Sequence, residues 1–259
     1  MHHLIPSTIP RTALVTGSAK RIGRAICLQL AEAGFDLALH YSTSQREAEE
    51  LKDLVESLGR RAVIVQAALD VEAEAHSLVP AATDVLGPLG LLVNNASTFI
   101  RDEWFDADRA LWDHHLEPNL RAPFVLTQAM ARTLPQAAEG VVINMLDQRV
   151  LALTPHFMTY TLSKAGLWAL TQSLALALAP RIRVNGIGPG PTLPSPGQSE
   201  EQFERQAAST PLGRGASPEE VAQAVIMILA LPAMTGQIIT LDGGQHLQWS
   251  PSTRRNDSR

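Results

Sequence analysis

The sequence predicts an α/β protein built on one doubly wound parallel sheet of about seven strands, with helices on both faces. Three observations carry this. Short apolar runs alternate with longer amphipathic ones along all 259 residues. Glycines stand where the amphipathic runs end. No linker, internal repeat or low-complexity segment divides the chain.

Thr12 to Thr16 reads as a first strand ending at Gly17. Arg21 to Ala33 reads as a helix, closed by Gly34 in a left-handed conformation. Asp36 to Tyr41 supplies a second strand. Ser44 to Leu58 supplies a second helix stopped by Gly59, and Ser44 with Glu47 has the spacing of a capping box. Arg61 to Ala67, Val71 to Leu86 and Leu89 to Val93 read as strand, helix and strand. A long helix over 107–134 then runs through Asn119 and Thr127, interrupted by Pro118 and Pro123. Val141 to Leu146 is a fifth strand, His156 to Ala179 a long alanine-rich helix, and Ile182 to Ile187 a sixth strand. The loop from Gly188 to Gln198 is rich in Pro and Gly and is the candidate lid. Helices near Glu200 to Ser209 and Pro218 to Leu231 precede a last strand, Gln237 to Leu241. Residues 1–249 are therefore expected to form one domain with a substrate loop near 188–210, and 250–259 a frayed polar tail.

Composition narrows the function. Apolar residues make up 45%, charged residues 18%, and the net charge is −5. That balance suits a soluble protein and lacks a basic footprint for nucleic acid. No apolar run reaches the length of a membrane span. Met1 to Pro6 does not read as a signal peptide, and a lone cysteine, Cys27, fits a reducing cytoplasm. Cys27 is expected to be a small buried apolar residue on the first helix. No metal site is expected.

The chemistry concentrates in two places. Thr16-Gly17-Ser18-Ala19-Lys20-Arg21-Ile22-Gly23 lies between a strand and a helix. Gly17 allows a tight turn and Gly23 close packing of helix on strand, leaving the helix amino terminus open to a pyrophosphate. An NAD site usually carries a carboxylate at the end of the second strand. Here the segment is His40-Tyr41-Ser42-Thr43-Ser44, whose imidazole and hydroxyls can bond a 2′-phosphate, with Arg21 adding charge; NADPH is favoured. Asp70 reads equally as an adenine contact or a helix cap. Asn94 and Asn95, before Ala96 and Ser97, read as a cofactor-facing bend or a simple turn.

Asp147 precedes Tyr160 by thirteen positions, and Lys164 follows Tyr160 by four. Tyr160 and Lys164 therefore share a helix face, and the ammonium is expected to lower the phenol's pKa from about 10. A serine hydroxyl at position 147 would donate to a ketone oxygen; an ionised Asp147 cannot, and suits a ring bearing N–H donors, while an Asp147 protonated in a dry pocket can itself deliver a proton beside Tyr160. Asn119, beside Pro118, is a candidate holder of a water feeding Lys164. His156 is read as lining the pocket or merely packing, and Trp112, Trp168 and Met158 as core or interface.

Together these segments, with Arg183-Val184-Asn185, Pro189-Gly190 and Asp242-Gly243-Gly244, resemble the short-chain dehydrogenase/reductase family over nearly the whole chain. Asn95-Ala96-Ser97-Thr98-Phe99, Ile143 to Asp147 and the Arg21 loop resemble its pteridine reductase and dihydromonapterin reductase subgroup more narrowly. The resemblance implies a Rossmann-type fold, NADPH as cofactor and a homotetramer. It implies cofactor contacts from Gly17, Arg21, Ile22, Gly23, His40, Tyr41, Ser42, Asp70, Asn95, Ala96, Ser97, Lys164, Pro189 and Gly190. It implies a pterin-like substrate held by Arg21, Ser97, Phe99, Asp147, Tyr160 and Thr192, with Asp147, Tyr160, Lys164 and Asn119 catalytic. Ser42 and Thr43 replace the basic residues that the subgroup's parasite enzymes carry after His-Tyr. The implied reaction is hydride transfer to a C=N bond of a dihydropteridine. A carbonyl or 3-oxoacyl-thioester reductase is the alternative, and a non-catalytic nucleotide sensor a third.

Overall fold

The computed structural model describes residues 4–195 and 197–247. The 250–259 tail and Trp249 lie outside the described residues.

Seven strands form one parallel sheet: β1 (Thr12–Val15), β2 (Asp36–Tyr41), β3 (Ala62–Gln66), β4 (Leu91–Asn94), β5 (Gly140–Met145), β6 (Ile182–Pro189) and β7 (Ile238–Leu241). Their order is β3-β2-β1-β4-β5-β6-β7. Alternation of side chains explains why the runs are apolar throughout rather than every second residue. In β1, Ala13 and Val15 join one core while Leu14 joins the other; Leu91 and Val93 of β4 oppose Leu92 in the same way. The register sets Leu14 beside Ala38 and Leu92.

Helices α1 (Arg21–Glu32), α2 (Gln45–Ser57) and α8 (Pro218–Leu229) cover one face through Ile26, Leu30, Leu51, Val55 and Val225. On the other face lie α3 (Glu72–Leu86), α5 (Ala122–Thr133) and α6 (Met158–Leu178), through Leu78, Val125, Met130 and Leu174. Two shorter helices, α4 (Arg109–Leu116) and α7 (Glu200–Ala208), flank the site. Cys27 is fully buried, and burial pushes its thiol pKa up, as a packing role requires. Arg183 and Asn185 serve the fold. Arg183 donates to the carbonyls of Ile228 and Met234, and Asn185 bonds Met234 O and Gln237 N.

One local expectation is sharpened and one needs correction. The expected interruption of the helix over 107–134 is a π-helical turn at Glu117–Arg121, through which α4 passes before α5. The wider turn accommodates Pro118, which has no N–H to give, while Pro123 falls at the start of α5, where none is needed. The capping box at Ser44 does not form. Ser44 makes no side-chain cap, and the Glu47 carboxylate that would return the second bond lies 2.8 Å from the Lys20 ammonium instead.

Candidate active site

The strand order reverses between β1 and β4, and crossovers leave that point in opposite directions. A crevice follows at the carboxyl ends of the strands. It holds a cavity of about 380 Å³ lined by Arg21, Ile22, Asn95, Ser97, Phe99, Asp147, Tyr160, Lys164, Pro189, Gly190 and Thr192. The sequence brought all eleven of these forward. Met145 and Leu146, inside the Ile143 to Asp147 motif but given no role there, complete the wall with Leu193 and Ser195, which had no distinguishing sequence signal.

The nucleotide end is shaped by backbone. Gly17 has φ +61°, and a Cβ there would meet Ala96 Cα at 3.0 Å. A Cβ on Gly23 would lie 2.1 Å from the Gly17 carbonyl oxygen, so the first turn of α1 sits directly on the loop. Asn95 ties the bend shut: its Nδ2 donates to Thr16 O at 2.9 Å and Gly17 O at 3.0 Å. Thr16 Oγ1 accepts the N–H groups of Asn95 and Ala96. Arg21 takes the position of a middle glycine and adopts its conformation, φ +54°. Lys20 precedes α1 without a capping side-chain bond, and no acid occupies the first turn. The helix thus presents uncapped N–H groups and a positive dipole end, which fits a dinucleotide pyrophosphate.

The end of β2 behaves differently from expectation. His40 is buried and both ring nitrogens are engaged: Nδ1 accepts from Gly17 N–H at 3.0 Å, and Nε2 lies 3.1 Å from Ala67 O. Burial holds its pKa below the usual histidine value. A neutral imidazole with both nitrogens engaged has no free donor to offer a 2′-phosphate; it supports the Gly17 turn. Tyr41 packs on Ala19 and Ala48. Ser42 is exposed at the strand end, and Lys20, in the glycine loop, is paired with Glu47 of α2 at 2.8 Å. Asp70 is exposed and does not cap α3, whose N-cap is Val71.

At the reacting end, Asp147 leaves β5 in extended backbone and caps a 3-10 turn, its Oδ1 accepting Arg149 N–H at 2.8 Å. That fixes the carboxylate so that Oδ2 accepts the Tyr160 hydroxyl at 2.9 Å. Lys164, one turn along α6, donates from Nζ to Met145 O at 2.8 Å. The expected lysine effect on the tyrosine is overturned. Tyr160 is pushed well above 10, first by burial and then by the charge and hydrogen bond of Asp147, with Arg149 opposing. Burial drives Lys164 down to about 8. The ammonium is turned to a carbonyl, 5.9 Å from the phenol ring centre, so desolvation wins. Tyr160 is therefore a neutral phenol, the form able to donate a proton.

Asn119 is fully buried in the π turn, its Oδ1 accepts Thr98 N–H, and its Nδ2 donates to Thr98 O and Ser163 Oγ. These bonds pin the strand-end segment carrying Ser97 and Phe99. Phe99 stacks on Phe157 with ring centres 4.6 Å apart and 9° between planes, and meets Tyr160 edge-on at 4.6 Å. Arg149 lies over the Phe157 ring at 4.8 Å. His156 pairs with Glu103 on the outside rather than lining the cavity. Thr192 Oγ1 donates to Gly190 O, which turns the loop over the cavity mouth. Among the described residues no cluster of His, Cys, Asp and Glu could hold a metal ion.

Comparison with known proteins agrees with this geometry. A family model described as enoyl-(acyl carrier protein) reductase matches residues 17–246. The structure of FolM alternative dihydrofolate reductase 1 from Brucella canis, complexed with NADP, is 45% identical, with TM-score 0.91, covering 96% of this chain and all of that one. Its counterpart from Brucella suis, also with NADP, is 47% identical, with TM-score 0.90, covering 93% of this chain and 97% of that one. Among curated proteins, the 3-oxoacyl-[acyl-carrier-protein] reductase FabG of Staphylococcus aureus is 30% identical over 242 residues, 92% of this chain and 98% of the relative. With a family model matching nearly its whole length and relatives covered almost end to end, the chain belongs to the short-chain dehydrogenase/reductase family of oxidoreductases.

Proposed function

We propose that this protein is an NADPH-dependent reductase of a dihydropteridine, acting on a C=N bond. The observation that carries the reading is the 2.9 Å hydrogen bond from Tyr160 Oη to Asp147 Oδ2 within the cavity wall. The bound nicotinamide would supply the hydride. The open α1 terminus with Arg21 and Ile22 suits its pyrophosphate, and Asn95, Lys164, Pro189 and Gly190 suit the nicotinamide ribose side. The absence of an acid at the end of β2, where Ser42 stands, favours a 2′-phosphate.

The chain's own residues then divide the work. Phe99 offers a flat wall to a planar heterocycle. Asp147, acceptor-only when ionised, takes a ring N–H, a bond that a ketone substrate cannot return. Tyr160 gives its proton to the ring nitrogen as negative charge builds there, and regains one from solvent between turnovers. Lys164 holds positive charge beneath the reacting centre, and the Pro191 to Ser195 loop restricts water. Homotetramer formation belongs to the same reading. Trp112, Leu116, Leu120, Phe124 and Leu170 line an apolar hollow of about 460 Å³ away from the site, a face suited to helix pairing between copies.

The test is direct. Purified protein with NADPH is assayed against dihydrobiopterin, dihydromonapterin, dihydrofolate, simple ketones and a 3-oxoacyl thioester. Turnover of dihydropterins well above the ketones and thioester is expected. Fast ketone or thioester reduction with none on pterins assigns the carbonyl reductase alternative instead.

A further inference from the structure

A buried polar node lies beneath the reacting residues, and the mechanism above does not use it. Asp102 is 1% exposed and His115 fully buried. Asp102 Oδ2 accepts two bonds from one residue of α6, Thr159: its N–H at 2.9 Å and its Oγ1 at 2.7 Å. Because Thr159 Oγ1 donates to Asp102, His115 Nδ1, 2.7 Å away, must donate to Thr159 Oγ1. His115 Nε2 then accepts Ile100 N–H at 3.0 Å. Burial lowers the His115 pKa, consistent with this neutral tautomer. Asp102 also accepts Phe157 N–H through its backbone carbonyl at 2.9 Å.

The bonds join two segments distant in sequence. One, 98–102, carries Phe99; the other, 157–160, opens α6 and carries Tyr160. Phe157 is held at φ +60°, a left-handed conformation rare for an aromatic residue, and its ring stacks on Phe99. Such a conformation persists only where its surroundings over-determine it. The surroundings here are the Asp102 carbonyl, the Asp102 carboxylate on the next turn, and the aromatic stack. One oxygen, Asp102 Oδ1, is buried with no partner, and simple helix capping does not require a desolvated carboxylate. An exposed Ser or Asp at the helix start would cap at less cost.

We propose that Asp102, acting through Thr159 and His115, is a positioning residue that locks the Phe99 wall and the Tyr160 hydroxyl into one register. This rests on the reading of Tyr160 as proton donor and Phe99 as the wall for the heterocycle. Asp102 touches neither substrate nor cofactor. Its effect is on how often the phenol and the ring nitrogen meet at bonding distance, which falls on kcat rather than on NADPH affinity.

The experiment compares wild type with Asp102→Ala, Thr159→Val and Thr159→Ser, measuring kcat and KM for a dihydropterin, NADPH Kd, and Tm. Wild-type turnover is the control for the functional reading: its absence defeats that reading and says nothing separate about Asp102. Given turnover, Asp102→Ala, which removes the accepting oxygen, and Thr159→Val are expected to lower kcat tenfold or more with NADPH Kd within twofold. Thr159→Ser, which keeps the hydroxyl, should restore kcat to within about threefold of wild type. If Asp102→Ala fails to fold, the Thr159 pair decides alone, since Val and Ser bracket the loss of one oxygen. Folded Asp102→Ala with wild-type kcat, or Thr159→Ser as impaired as Thr159→Val, overturns the proposal and leaves the node a stabilising element only.

Discussion

The two ends of the crevice are built by different means. At the nucleotide end the work falls to backbone: Gly17 in its left-handed turn, Gly23 against the Gly17 carbonyl, and the uncapped start of α1. Side chains there, His40 and Asn95, mostly hold that backbone in place. At the reacting end the backbone is secondary, and side chains from three separate segments converge: Phe99 after β4, Asp147 after β5, and Tyr160 with Lys164 on α6. A backbone cradle accepts one shape of cofactor across many chemistries. A side-chain cluster can be changed one residue at a time, so specificity belongs at this end.

Substitutions at the two ends should therefore fail differently. The largest effect is expected for Tyr160→Phe. Removing a general acid forfeits about 10²- to 10⁴-fold in rate, so kcat should fall by at least about a hundredfold. NADPH Kd from fluorescence titration should stay within a few-fold. Asp147→Ser comes next. Dihydropterin kcat/KM should drop about 10- to 100-fold as one charged hydrogen bond, worth about 1.5–3 kcal/mol, is lost. NADPH binding should again hold, and unchanged pterin turnover would mark the carboxyl as a bystander.

Gly23→Ala attacks the other end. The new methyl would stand 2.1 Å from Gly17 O, a clash with backbone that cannot rotate away. Overpacking of this kind costs about 1–3 kcal/mol, so NADPH Kd should rise about tenfold and Tm should fall, measured by titration and thermal melt. Equal loss at both ends, in all three variants, would dissolve the distinction drawn here.

The smallest effect is on pH. Lys164 titrates at about 8, and its charged form is the one present below that pH. Tyr160, raised well above 10, stays protonated through the same range. kcat/KM for dihydropterin should thus fall as pH rises through about 8, and the falling limb belongs to Lys164. Lys164→Arg keeps its charge and should move the limb to higher pH, whatever its activity at neutrality.

How far the sequence reached follows the same division. Strand and helix positions were legible within a few residues, because a sheet buried on both faces demands unbroken apolar runs and glycine stops. Tyr160 and Lys164 were legible because four positions along a helix share one face, and Asp147 because a strand end and the family resemblance together bring it to them. Asp102, His115, Thr159, Phe157 and Arg149 were not. Each matters only through a partner many positions away, such as Thr159 on Asp102 at a separation of 57. The misjudgements share one cause. The pattern showed Lys164 near Tyr160 but not the burial that outweighs it. It showed an imidazole at the end of β2 but not that Gly17 and Ala67 already claim both its nitrogens. It showed Ser44 and Glu47 but not Lys20 reaching across.

The central claim is that the carboxyl at 147 selects a nitrogen heterocycle over a carbonyl. The ratio of kcat/KM for dihydropterin to kcat/KM for a 3-oxoacyl thioester, measured side by side in wild type and Asp147→Ser, tests it most directly. A ratio strongly in favour of the pterin that collapses at least tenfold on substitution is the predicted result. A wild-type ratio favouring the thioester, or one the substitution leaves untouched, contradicts it.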